Sequence, residues 1–247
     1  MLTLWTKTSG TWINVFLVIS GTLSGLALRH RLSANMQTII TQAVGLTTIF
    51  IGISMARTLS NADVGGVEGV VLGLITLVAG GLIGEWLQVE SRLASIGNWL
   101  KAFAQGGSRF TEGFVAASLL FCIGPMTILG SLNNGLLGDN TILVVKSTMD
   151  GLVSIALAGS YGIGVGFSII PILIYQGGLS LLAGTFTHIT STPESSHSVL
   201  LVTGAGGVMI LGLGINLIEA SKIRVASFIP ALAIGPLISW LAETMLG

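Results

Sequence analysis

The chain has 247 residues, of which 51% are apolar and only 8% are charged. A soluble domain carries roughly a quarter charged residues, so this composition excludes a water-covered surface and points to a membrane protein. Ten basic and ten acidic residues cancel, which gives no signal for nucleic acid or another polyanion as partner.

A helix needs about 20 mostly apolar residues to cross a bilayer, and eight stretches qualify. The first, Thr11–Leu28, follows a lone Lys7 and precedes Arg29, His30 and Arg31. That charge order suits a retained span with its N-terminus outside, rather than a cleaved signal peptide. The second and third run over Thr38–Ala56 and Val67–Gly84. Residues 87–105 follow, with Leu93, Ile96, Leu100 and Phe103 at three- or four-residue spacing. They read either as an amphipathic helix in the cytoplasmic interface, anchored by Trp99, or as a linker packed on the bundle. The fourth span, Thr111–Ser131, carries Gly124-Pro125 in its middle. The fifth and sixth, Ile142–Ser160 and Val165–Thr187, are nearly continuous. They divide at Tyr161-Gly162-Ile163-Gly164-Val165-Gly166, because clustered glycine favours a turn. Val199–Ile218 and Val225–Leu246 complete the set. With both termini outside, Arg29, Arg31, Arg92, Lys101, Arg109, Lys222 and Arg224 all fall on the cytoplasmic side, as the positive-inside rule requires.

An internal repeat runs through these spans. Gly21, Leu23, Ser24, Leu26 and Ala27 match Gly177, Leu179, Ser180, Leu182 and Ala183. Thr41, Ala43, Gly45, Gly52 and Ile53 match Thr203, Ala205, Gly207, Gly214 and Ile215, and Gly80, Leu82 and Ile83 match Gly235, Leu237 and Ile238. Five spans separate the paired starts, so residues 11–84 and 165–246 would be inverted relative to each other, with 111–160 as a central helix pair. Secondary transporters often have this plan and hold their site near the bilayer midplane. The alternative is chance matching in a small apolar alphabet.

Lys146 and Asp150 stand four apart within the fifth span, hence on one helix face. A lone charge at the bilayer centre costs about 3 kcal/mol or more. Either Asp150 binds a cation or proton with Lys146 as counter-charge, or the two form a structural ion pair, or Lys146 snorkels outward. Pro125 frees carbonyls near Phe121 and Cys122. These either coordinate an ion, as in broken transporter helices, or mark a simple kink. Asn14, Gln176 and Asn216 are further intramembrane polar groups; each alone reads best as interhelical glue, and Gln176 and Asn216 are also drawn into the site. Gln176 is the repeat counterpart of Ser20, and Asn216 of Ser54. Glu85 and Glu112 lie at span ends, as solvated residues or ligands. Cys122, the single cysteine, excludes an internal disulfide and either packs or serves redox chemistry.

No Gly-Lys pair, His-Glu-x-x-His or Gly-x-Ser-x-Gly occurs, so no phosphate loop, zinc-protease or serine-hydrolase signature is present. His30, His188 and His197 all fall in loops, without metal-ligand spacing. No cofactor is expected.

The chain resembles a bacterial family, domain of unknown function 554. The resemblance rests on "VGLTTIFIGISMA", "GGLIGEWLQVESRL", "FTEGFVAASLLFCIGPMTILGSLNNGLLGD", "KSTMDG", "PILIYQGGLSLLAG" and "LGLGINLI" followed by "IRVASFIPAL", and covers nearly the whole chain. It implies a polytopic inner-membrane protein and no particular activity. Glu112-Gly113, Gly124-Pro125, Lys146–Gly151 and Tyr175–Gly177 are its family-like elements here.

The expected fold is therefore all-α, a single transmembrane domain over 1–247 with about eight spans and inverted three-helix repeats. The expected function is secondary transport or channelling of a small solute, an ion, through a midplane site drawn from Lys146, Asp150, Gln176, Asn216, Gly124, Pro125 and Glu112. A scaffold or partner subunit is the alternative, and an intramembrane enzyme is a weaker one. Glycine faces would serve contacts within one chain or between two copies in a homo-oligomer.

Overall fold

In hydrocarbon every backbone N–H and C=O must be satisfied within the protein, and long apolar segments meet that demand as helices. The computed structural model describes residues 3–183 and 197–246, and they are helical almost throughout, with no named strand among them. Among the described residues, seven segments are long and apolar enough to cross a membrane. They are α1 (Leu4–Arg29), α2 (Ala34–Ala56, continued by a 3₁₀ turn Arg57–Asn61), α3 (Gly69–Trp86), α7 (Thr141–Tyr161), a composite span Ile163–Leu182, α10 (His197–Leu217) and α11 (Ile229–Leu246, preceded by a 3₁₀ turn Val225–Phe228). The composite span joins a 3₁₀ stretch Ile163–Ser168, α8 (Ile169–Ile172), a π turn Leu173–Gly177 and α9 (Gly178–Leu182). Between α3 and α7 lie α4 (Val89–Ala104), α5 (Phe110–Cys122) and α6 (Pro125–Leu137), the last two bent 61° from each other. The expected end of the sixth span at Thr187 and the loop histidine His188 fall outside the described residues.

The chain divides into two compact units, Met1–Val44 with Ala94–Ser191, and Gly45–Leu93 with Thr192–Gly247. In the first, α1 and α7 run parallel at very close range. A Cβ on Gly21 would stand 2.2 Å from the Gly151 oxygen, and one on Gly25 2.3 Å from the Ile155 oxygen. Only glycine allows that approach. The composite span runs the other way: Gly166 lies against Thr22 and Gly177 against Thr11. The chain thus reverses after α7, and Gly162 makes the turn with φ +82°, a left-handed conformation open to glycine at no steric cost.

The bent pair α5–α6 follows α7 from end to end. Gly113 packs on Tyr161 and Gly130 on Leu143, so α5 enters beside the last residue of α7 and α6 leaves beside its first turn. Counted as one broken span, the pair brings the candidate spans among the described residues to eight. α7 runs parallel to α1, the direction a fifth span would take after four crossings.

Helix α4 divides its apolar residues between two faces. Gly97 and Leu100 are buried, with Gly97 against Thr111 and Phe114, and Asn98 Oδ1 accepts from Thr111 Oγ1 at 2.7 Å. Ile96, Trp99 and Phe103 are exposed, the two rings stacked at 6.4 Å. The helix thus packs on the bundle and also offers an aromatic face of the kind that sits in a headgroup layer.

In the second unit α2 and α10 run antiparallel. Cβ atoms on Gly45 and Gly52 would meet the oxygens of Gly214 and Gly207 at 3.1 and 2.9 Å. α3 and α11 cross likewise, Gly80 on Ala231 and Gly84 on Ser227. Asp63 Oδ1 accepts the N–H of Gly69, the first residue of α3, at 2.8 Å. Leu59, Ala62, Val64, Leu72, Leu201 and Ala242 form the core at that end. At the other end Arg224 pairs with Glu85 at 2.6 Å, and Glu90 accepts the Ala226 N–H at 2.8 Å. Burial pushes the Glu90 carboxyl above its usual range, against the lowering effect of that hydrogen bond and of Arg224.

Candidate functional site

One stripe of α7 is polar. Lys146, Ser147, Asp150 and Ser154 are buried, whereas Val145, Met149 and Leu152 on the same helix are exposed. The helix starts where Asp139 Oδ1 accepts both the N–H and the O–H of Thr141, at 2.9 and 2.6 Å, bonds that hold the Asp139 carboxyl below its usual range. Four residues are just over one helical turn, so Lys146 Nζ reaches Asp150 Oδ2 and forms an ion pair. Lys146 is 6% exposed and Asp150 8%, so the lysine does not snorkel out.

α1 presents Thr11 and Asn14 to this stripe, and both are buried. Asn14 Nδ2 donates to Asp150 Oδ2 at 3.0 Å and to Gln176 Oε1 at 2.9 Å. Gln176 Nε2 donates to Thr11 Oγ1 at 3.3 Å. Gln176 lies in the π turn that follows Pro171. An α-helix turned into a π turn holds one more residue per turn, a device common at functional sites. The result is a connected run, Lys146–Asp150–Asn14–Gln176–Thr11, across three helical segments of one unit. Asn14 Oδ1 is buried and has no partner among the described residues.

The break in the fourth span adjoins this network. Cys122, the last residue of α5, lies within electrostatic reach of Lys146 and Asp150. Pro125 takes the first position of α6, where a missing N–H costs nothing. Of the carbonyls expected to be freed near Phe121 and Cys122, that of Phe121 accepts from Thr127 Oγ1 at 3.3 Å. Gly124 is extended, and a Cβ there would touch nothing within 4 Å. Its identity is not imposed by space or conformation.

Two of the residues expected at the site stand elsewhere. Glu112 is in the exposed first turn of α5 and pairs with Arg109 at 3.2 Å, while the Arg109 guanidinium covers the Tyr161 ring at 4.4 Å. Asn216 belongs to the second unit, and both ends of its amide are taken by the Ile223 backbone at 2.7 Å; it closes the turn after α10. Asn14 and Thr11 are the members not assigned from sequence. The three-residue spacing of Thr11 and Asn14 on α1 was the available signal. Among the described residues no group of three or more His, Cys, Asp or Glu is placed to hold a metal ion.

The family model for the protein of unknown function DUF554 matches residues 9–240. Among curated proteins, the chain is 28% identical over 230 residues to the "Uncharacterized membrane protein YdfK" of Bacillus subtilis, covering 93% of this chain and 94% of that one. It is 29% identical over 229 residues to the "Uncharacterized protein YqgA" of Escherichia coli, covering 90% and 92%. No solved structure matches the chain.

Proposed function

We propose that this chain, which belongs to the DUF554 family, is a secondary transporter or channel that passes a small ion through the first unit. The observation that carries the reading is the buried run Lys146–Asp150–Asn14–Gln176–Thr11. Ionisable groups inside the membrane are costly and usually mark ion pathways. The broken helix beside it leaves backbone that must line protein or a cavity. No nucleophile–base constellation is part of the reading, which is of a non-enzymatic protein.

An inverted repeat belongs to the same proposal and supports transport. Gly45 meets Gly214 and Gly52 meets Gly207; the repeat alignment equates Gly45 with Gly207 and Gly52 with Gly214. Exchanging the repeats therefore exchanges one contact for the other. The same holds for Gly80 on Ala231 and Gly235 on Thr76, since the ungapped match of Gly80 with Gly235 equates Thr76 with Ala231. Inversion would keep both termini on one side, and the basic loops make that side the outside of an inner membrane.

Reconstitution of the purified protein into liposomes against a panel of protons, alkali cations, halides and small organic ions tests the function. The expected result is flux of one ion class that Asp150→Asn abolishes. Folded protein with no flux for any of them would favour a scaffold or partner subunit.

A further inference from the structure

Five buried hydroxyl groups of the first unit have no hydrogen-bond partner among the described residues: those of Thr22, Ser131, Ser154, Ser168 and Ser180. None of these residues is more than 3% exposed. A buried polar group left unpaired is costly, so five in one unit call for an explanation.

The five fall into two sets, one on each side of the ion pair. Ser154 is one turn beyond Asp150, and its Cβ lies 3.0 Å from where a Cβ on Gly21 would be, next to Thr22. Thr22 faces Gly166, with Oγ1 3.4 Å from the Cβ position there, and Ser168 ends the same 3₁₀ stretch. Towards the start of α1 the second set begins. The Ser180 backbone lies against Gly135, and Ser131 is one turn earlier on that face of α6. Between the sets stand Lys146, Asp150 and Gln176 with the unpaired Asn14 Oδ1.

We propose that these hydroxyls line two water-filled half-paths that meet at the Lys146–Asp150 pair, and that the ion passed between them is the proton. The proposal rests on the transport reading of the same cluster. Water bridging buried polar groups typically makes about three hydrogen bonds, and the two sets offer three and two unpaired hydroxyls. Hydroxyls and water both donate and accept, so together they relay protons. A metal cation would need several oxygen ligands, and Asp150 Oδ2 is already held by Lys146 and Asn14.

The step balances simply. A proton arriving from one half-path neutralises the Asp150 carboxylate, which leaves the Lys146 ammonium buried without its counter-charge. Such an ion is strongly unfavourable, so Lys146 releases a proton into the other half-path. Transfer of the Asp150 proton to Lys146 restores the starting pair, and one proton has crossed.

Single replacements Ser154→Cys and Ser131→Cys in full-length protein with Cys122→Ala test the path. A membrane-impermeant cationic thiol reagent is applied to either side of oriented vesicles, with folding checked by size-exclusion chromatography; should either variant fail that check, Thr22→Cys or Ser180→Cys takes its place. The expected result is labelling of each from one side only, and from opposite sides. Labelling of neither in folded protein, or of both from the same side, overturns the path. Proton flux in liposomes, read with an internal pH dye, tests the ion. Sided labelling with flux of another ion but no proton movement overturns the proton assignment. Sided labelling with no flux of any ion overturns the transport reading while the path stands.

Discussion

Asp150 accepts from Lys146 Nζ and from Asn14 Nδ2 on the same oxygen, so its charge is what holds both groups. Asp150→Asn leaves Lys146 as a buried ammonium without a counter-charge, and removing one partner of a buried pair costs about 3–5 kcal/mol. The expected outcome is a large fall in the thermal midpoint of the protein in detergent. Lys146→Met added to Asp150→Asn removes the stranded charge and should recover most of that loss. Flux then separates two roles. If Asp150 takes up the transported ion, the double variant is stable but inactive; recovery of both stability and flux would make the pair structural only.

At the scale of elements, the contact between α1 and α7 depends on glycine and the break between α5 and α6 does not. A Cβ at position 21 would lie 2.2 Å from a backbone oxygen that cannot move aside alone, so Gly21→Ala must push the helices apart. Overpacking of this kind costs about 1–3 kcal/mol and would shift Asn14 away from Asp150. Gly124→Ala meets open space on extended backbone and should leave the stability within about 0.5 kcal/mol of the parent. Thermal unfolding of the two variants side by side checks the contrast.

The join between α4 and the 3₁₀ turn at Val225–Phe228 carries a pH dependence through Glu90. Burial, the largest influence, raises this carboxyl above its ordinary 4.5 in the folded protein. The folded state therefore holds the proton more tightly than the unfolded one. The favourable contribution is complete below pH 4.5 and is lost as pH rises through the raised value. Glu90→Gln cannot titrate, so it should gain stability relative to the parent as pH rises from 4.5 to neutrality. Paired melts across that range would show the opposite trend, or none, if the Ala226 bond and Arg224 dominated over burial.

For the molecule as a whole, eight spans, with α5–α6 counted as one, would bring the chain back to the side of the membrane on which it started. Single cysteines placed ahead of α1 and after α11, in a Cys122→Ala background, should then react with an impermeant thiol reagent from the same side of the membrane. Termini labelled from opposite sides would remove one span and with it the inverted repeat. Exposed Phe16, Phe50, Leu82 and Leu237 are the lipid-facing surface that such a bundle needs.

The apolar runs by themselves determined that the chain is a helical membrane bundle, because bilayer thickness and the need to close backbone hydrogen bonds act on each segment locally. The reversal at Gly162 was legible for the same reason: a glycine cluster interrupts a run too long for one crossing. Lys146 and Asp150 were legible as a pair, since four-residue spacing on a helix is a local fact. Their surroundings were not. Asn14 and Gln176 read alike with Asn216 as isolated amides in apolar helices, yet the first two join a network whose partners lie 136 and 162 residues apart in the chain, while Asn216 turns back on Ile223 seven residues away. Which face of a helix meets which neighbour is set by packing between distant segments, here by glycines that let α1 and α7 touch backbone to backbone. Only the tertiary structure decides that, because the energy of a buried amide depends on what stands opposite it.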